Sequence, residues 1–187
     1  MPPKVKITKD EIVTTALTLL RQDGVSAINA RSIASALGCS TQPVFSNFAS
    51  MEELQQAVLR AAYDCYAGFI QNELESDKYP AYKAMGIAYI RFAQQEKELF
   101  RLLFMCDRQG ADLIPTQDFD DSVQIIMQAN GISKQAATLM HLEMWACVHG
   151  IGAMMATSFL ALDWELISQM LSDIYLGLQK KHTEKEK

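Results

Sequence analysis

The sequence predicts an all-α fold. Apolar residues recur at three- and four-residue spacings along most of the 187 residues, and no stretch alternates with period two for long enough to form a strand. The periodic blocks also open on capping residues and close on glycine, asparagine or proline. These signals predict an N-terminal three-helix bundle containing a helix-turn-helix, followed by a C-terminal helical domain, with about nine helices in all. The expected organisation is residues 1–50, then 51–180, then a polar tail over 181–187.

A short basic arm, Pro2 to Lys6, precedes the first helix. Thr8 and Glu11 form a capping box, and Ile12, Val13, Ala16, Leu19 and Leu20 follow at helical spacing as far as Asp23-Gly24. Asn29 is placed to cap a second helix, with Ile28 and Ile33 as a hydrophobic staple across the cap. Gly38 lies just past Leu37, where a left-handed residue ends a helix at little cost. Ser40 then caps a third, short helix. Pro43 falls in its first turn, where the missing N–H has no partner to lose. Ile33, Ala34, Leu37, Val44 and Phe48 supply the apolar faces of the pair, and the tight turn is that of a helix-turn-helix.

Ser50 and Glu53 make a second capping box, opening a long helix from Met51 to about Ser76 that Tyr79-Pro80 breaks. A helix from Ala81 to Gln95 carries Met85, Ala88, Tyr89 and Phe92, and Glu98 to Met105 continues as another. Gly110 to Pro115 reads as a loop. The next helix runs from about Phe119 to Ala129 and stops at Asn130-Gly131. Ser133 caps a long helix to about Phe159, and the last runs from about Asp163 to Leu178.

The net charge of −5 argues against indiscriminate coating of nucleic acid. It is unevenly divided: residues 1–60 hold six Lys/Arg against five Asp/Glu, and the remainder holds eleven against seventeen. Four cysteines (Cys39, Cys65, Cys106, Cys147) lie far apart without metal-ligand spacing, which points away from a disulfide framework or zinc site and toward a reducing cytoplasm. No signal-peptide pattern is visible at the start. Met144 to Leu162 carries no formal charge over nineteen residues, but His149, Gly150, Gly152, Thr157 and Ser158 and the acidic flanks favour a helix buried in protein over a membrane span.

Residues of about 7 to 60 resemble the DNA-binding domain of the tetracycline-repressor (TetR) family. The resemblance is carried by Thr8…Glu11, Gly24, Ile33-Ala34, Gly38-Cys39-Ser40, Val44-Phe45, Phe48 and Ser50-Met-Glu-Glu-Leu54 in that order. Farther on, Trp145-Ala-Cys-Val-His149-Gly150 is similar to a Trp…His-Gly signature in the ligand-binding domain of one branch of the family. Tyr89-Ile-Arg-Phe92 and Leu99-Phe-Arg-Leu-Leu-Phe104 extend the likeness.

In a helix-turn-helix the third helix enters the major groove, which assigns base or phosphate contact to its polar residues Thr41, Gln42, Ser46 and Asn47. The resemblance adds Phe45, makes Ser40 both a cap and a phosphate neighbour, and implies that Arg31 reaches a phosphate or a guanine. Lys4, Lys6 and Lys9 are placed to reach a groove or phosphates from the arm, or else serve only solubility. Two departures from the family pattern stand out. Phe45 replaces a common tyrosine and Met51 a common lysine, so two phosphate contacts are missing and salt dependence flattens. Helix N-termini opening at Ser40 and Ser50 would then carry more of the phosphate contact.

No nucleophile elbow, phosphate loop or HExxH pattern is present, so the reading is a non-enzyme without metal or other cofactor. His141 and His149, eight apart, share one helical face without a spaced carboxylate. The resemblance implies an effector pocket in the second half, for which Phe69, Met85, Tyr89, Phe92, Phe104, Phe119, Met127, Trp145 and His149 are candidates, although such stripes are also ordinary core. Ala146, Gly150, Ala153 and Thr157 form a small-residue stripe, and Leu166, Met170 and Ile174 add apolar bulk. The resemblance implies that these two helices pair with a second copy in a four-helix bundle. A two-fold dimer also sets two reading helices about 34 Å apart, or a multiple of it, on a near-palindromic site.

The expected function is therefore that of a cytoplasmic, homodimeric, sequence-specific transcriptional regulator, a repressor answering to an unidentified small molecule. The alternative is a helical small-molecule-binding or scaffold protein whose helix-turn-helix has degenerated.

Overall fold

The computed structural model describes residues 7–106 and 116–185, which form nine α-helices and one turn of 3-10 helix, with no strand among them. The all-α expectation holds. The helices are α1 (Lys9–Asp23), α2 (Ala30–Ala36), α3 (Gln42–Asn47), α4 (Met51–Glu75), α5 (Ala81–Gln95), α6 (Lys97–Phe104), α7 (Thr116–Asn130), α8 (Lys134–Ala156) and α9 (Trp164–Lys185), with the 3-10 turn at Val25–Ala27. The expected arm, with Lys4 and Lys6, and the expected loop from Gly110 to Pro115 lie outside the described residues.

Contacts divide the chain into two compact units. One comprises the described residues through Ala67 together with Glu96–Cys106; the other comprises Gly68–Gln95 and the described residues after 115. Helix α4 contributes to both.

In the first unit the helix boundaries follow from local chemistry. The Thr8 side chain accepts from the Glu11 N–H at 3.2 Å while Glu11 accepts from the Thr8 N–H at 2.8 Å, closing a capping box. The backbone hydrogen bond from Thr8 holds the Glu11 carboxyl below its ordinary range. Asn29 caps α2 by accepting from Ser32 N–H at 3.0 Å, and both staple residues, Ile28 and Ile33, are buried. Ile12, Leu20, Ile33, Leu54 and Phe100 are fully buried. Each contributes roughly 1.5–3 kcal/mol of transfer free energy. Arg21 of α1 grips Glu96, ahead of α6, through two hydrogen bonds of 2.8 and 3.0 Å.

In the second unit α5 packs most extensively on α8. Tyr82 meets His141 and Tyr89 meets His149, so the two helices run in the same direction about a heptad in step. Gly86 lies between these pairs. A Cβ there would stand 3.4 Å from Val148 of α8 and 3.7 Å from Leu171 of α9. Helix α7 turns back into α8 through Gly131 at φ 63° and a Ser133 cap. Val123, Ile126, Ile132, Ala137 and Met140 form the core beneath that turn.

Three boundaries differ from expectation. Helix α7 begins at Thr116, three residues before Phe119. Helix α8 ends at Ala156 because Thr157 and Ser158 turn the chain, Ser158 at φ 56°. Met144 to Leu162 is therefore not one helix, nor is α8 buried on every face: Leu139, Leu142 and Ala146 are exposed. Helix α9 continues to Lys185, past Leu178, because His182 is buried with its Nε2 2.8 Å from Oε2 of Glu143, and Lys181 bonds the other oxygen. Among the described residues no helix is long and apolar enough to cross a membrane.

Candidate nucleic-acid interface and ligand site

The turn between α2 and α3 shows why this stretch presents its third helix. Gly38 takes φ 64°, which only glycine adopts without strain. The Gly38 N–H donates to Ser35 O at 3.1 Å and the Cys39 N–H to Ala34 O at 2.9 Å, the paired bonds of a Schellman stop. The cap of α3 differs from expectation. It is Thr41, in helical conformation and without a side-chain cap hydrogen bond, while Ser40 lies exposed in the turn. Pro43 sits in the first turn, where its missing N–H leaves no bond broken.

One face of α3 is core and the other is open. Val44 and Phe48 are 1% and 3% exposed, whereas Gln42 and Ser46 are exposed and the Phe45 ring is 53% exposed. Thr41 is half-buried, and Arg31 projects from the first turn of α2, exposed. Two of the polar side chains bond backbone carbonyls. The Ser46 hydroxyl donates to Gln42 O at 2.8 Å. The Asn47 amide donates to Pro43 O at 2.8 Å and to Ile7 O at 3.2 Å, tying the segment before α1 to the end of α3. Lys9 is also engaged, bonded to Glu53 at 3.0 Å and lying over the Phe48 ring. Glu53 receives the Ser50 cap and itself accepts from Ala49 N–H, one residue earlier than a regular capping box.

The nine candidate effector residues separate into groups. Tyr89 and His149 share a hydrogen bond of 2.8 Å, and Phe69 packs edge-on against Phe92. Phe119 and Met127 pack on the core under α7, where Phe119 meets the His141 ring edge-on. Met85 and Trp145 are half-buried in α5 and α8. Phe104 belongs to the first unit, where it packs against Tyr66 and Phe100. Of the stripe residues, Ala146, Thr157 and Leu166 are exposed, while Gly150, Ala153, Met170 and Ile174 are partly so.

Sequence reasoning missed three polar constellations in the second unit. The Tyr82 hydroxyl bonds His141 Nδ1 at 2.8 Å, and burial pushes the His141 pKa down and the Tyr82 pKa up. Asn130 donates to Tyr175 at 3.0 Å and accepts from Gln179 at 2.8 Å, fastening α7 to α9. Arg91 pairs with Glu73 at 2.6 Å and lies over the Trp164 ring. The only sequence trace of the first was a Tyr pair seven apart and a His pair eight apart; the other two left none.

No family model and no curated protein matches the chain. Solved structures do. A Rhodococcus sp. RHA1 protein of unknown function aligns over 98% of this chain and 99% of its own, at 19% identity and TM-score 0.75. The multidrug binding protein EbrR, solved with imidazole, aligns over 89% and 93% at 15% identity and TM-score 0.62. The chain shares the fold of both.

Proposed function

We propose that this protein is a dimeric, ligand-responsive DNA-binding transcriptional regulator, acting as a repressor on a near-palindromic site. The observation that carries the reading is the α2–Gly38–α3 geometry, in which a glycine stop and a buried Val44/Phe48 face hold Gln42 and Phe45 outward. Arg31 on the neighbouring helix supplies the phosphate or guanine contact. Ser40 and Thr41 lie at the start of α3, near where the DNA backbone would run.

The exposed apolar side of α8 supports a two-fold partner. Leu139, Leu142, Ala146, Ala153 and Thr157 lie across the helix from the buried Met140, Met144, Val148 and Met155. With Leu166, Met170 and Ile174 of α9 this makes a face for the same helices of a second copy. The aromatic and histidine side chains of the second unit are the effector-binding candidates, and the fold shared with a multidrug binding protein supports a small-molecule role. A ligand acts here by population shift: it must favour one conformer by several kcal/mol to move the DNA-bound fraction far.

The test is binding of the purified protein to its own upstream DNA at two salt concentrations, with an unrelated duplex as competitor. Competitor-resistant binding that weakens with salt is expected. Binding no better than to the unrelated duplex, by an intact dimer, would favour a small-molecule-binding scaffold, the reading that the backbone-bonded Asn47 amide supports.

A further inference from the structure

We infer that the reading face of α3 recognises an A·T step, with the Phe45 ring packed against a thymine 5-methyl group and the Gln42 amide on an adenine edge. This rests on the regulator reading and specifies the DNA chemistry of that same surface.

The inference follows from what the face offers after its internal bonds are counted. Gln42, Phe45 and Ser46 stand at i, i+3 and i+4, so they share one side of α3, and all three are exposed. The Ser46 hydroxyl is already donated to Gln42 O, and the Asn47 amide to Ile7 O and Pro43 O. No lysine or arginine lies on α3, so it carries no fork for guanine O6 and N7. Two groups on this side keep their full reading capacity: the amide of Gln42 and the ring of Phe45.

An amide presents one donor and one acceptor side by side, which matches adenine N7 and N6. A phenyl ring offers neither. It gains only by covering apolar surface, and the alkyl group exposed in the major groove is the thymine methyl. Phe45 is 53% exposed beside the buried Val44 and Phe48, so its ring is not needed to close the protein's own core.

The experiment starts from half-sites selected by the full-length protein out of a randomised duplex pool. Each thymine of the selected site is then replaced in turn by deoxyuridine, which removes the 5-methyl group alone. One thymine per half-site is expected at which the replacement weakens binding about fourfold, the worth of one buried methyl. Phe45→Ala should bind more weakly and be indifferent to that replacement, with an unchanged thermal transition. Gln42→Ala should relax the preference for adenine at a neighbouring position. Uracil-indifferent specific binding, or a Phe45→Ala protein that keeps the sensitivity, overturns this inference and leaves the regulator reading standing. A pool that yields no preferred sequence overturns both.

Discussion

The hydroxyl of Tyr82 lies 2.8 Å from Nδ1 of His141, and the edge of the His141 ring meets Phe119. Tyr175 in turn packs against Tyr82, with ring centroids 5.9 Å apart. Burial holds its folded pKa below the ordinary 6.5. A histidine so shifted stays neutral to lower pH in the folded chain than in the unfolded one. The unfolded chain therefore takes up the proton first, and stability falls as pH drops below about 6.5 toward the folded pKa. Urea unfolding between pH 7.5 and 5 should show this decline, and His141→Gln, which keeps an acceptor for Tyr82 but does not titrate, should flatten it. Glu143 works in a lower range. Its hydrogen bonds to His182 and then Lys181 depress its carboxyl below 4.5, so its contribution is lost only as pH falls below that value.

The α2 cap can be tested in isolation. Asn29→Ala removes the acceptor for Ser32 N–H from a seven-residue helix and should cost about 1 kcal/mol, read as a lower urea midpoint at constant m-value. Asn29→Ser should restore most of it.

Gly86 marks the close approach of α5 to α8 and α9. A methyl group there meets Val148 and Leu171 at ordinary contact distance, so Gly86→Ala should be neutral or stabilise by up to about 1 kcal/mol through helix propensity. Gly86→Leu has no such room and should destabilise by about 1–3 kcal/mol. Thermal melts of the two variants should therefore move apart.

On the proposed dimer face, Ala146→Glu with Ala153→Glu places two carboxylates on the apolar side of α8 away from its core. Sedimentation should show a monomer with unchanged helical content, and DNA affinity should fall because each copy then holds a single half-site.

Arg31 is exposed, and among residues 25–50 it is the sole formally charged side chain. If it meets a phosphate, Arg31→Ala should weaken binding evenly across DNA sequences. The slope of log affinity against log salt should then fall by about 1.

The helices were legible wherever a boundary has a local cause. Thr8, Asn29, Gly38, Ser133 and Gly131 each act through their own or adjacent backbone, and all five work as the sequence suggests. Ser40 failed as a cap for a local reason too: Thr41 already has helical backbone and occupies the position. What stayed hidden is long-range. His182 looks like part of a polar tail until Glu143, thirty-nine residues earlier, is seen beside it. Nor does the sequence show that the Asn47 amide nitrogen is held by Ile7 O, forty residues away. Periodicity reports which side of a helix is apolar but not which polar side chain is already spoken for.

The Arg21–Glu96 clasp bears on the order in which the chain is made. Glu96 and α6 emerge from the ribosome only after the whole excursion Gly68–Gln95, so α1 lacks the carboxylate partner of its arginine during that interval. At roughly 5–20 residues per second, synthesis from Ala67 to Cys106 takes on the order of 2–8 s. Throughout that time α1 to α3 exist without their last helix. A fragment cut at Ala67 would hold the nascent chain in that unfinished condition, and its turnover by proteases should exceed that of a fragment ending at Cys106.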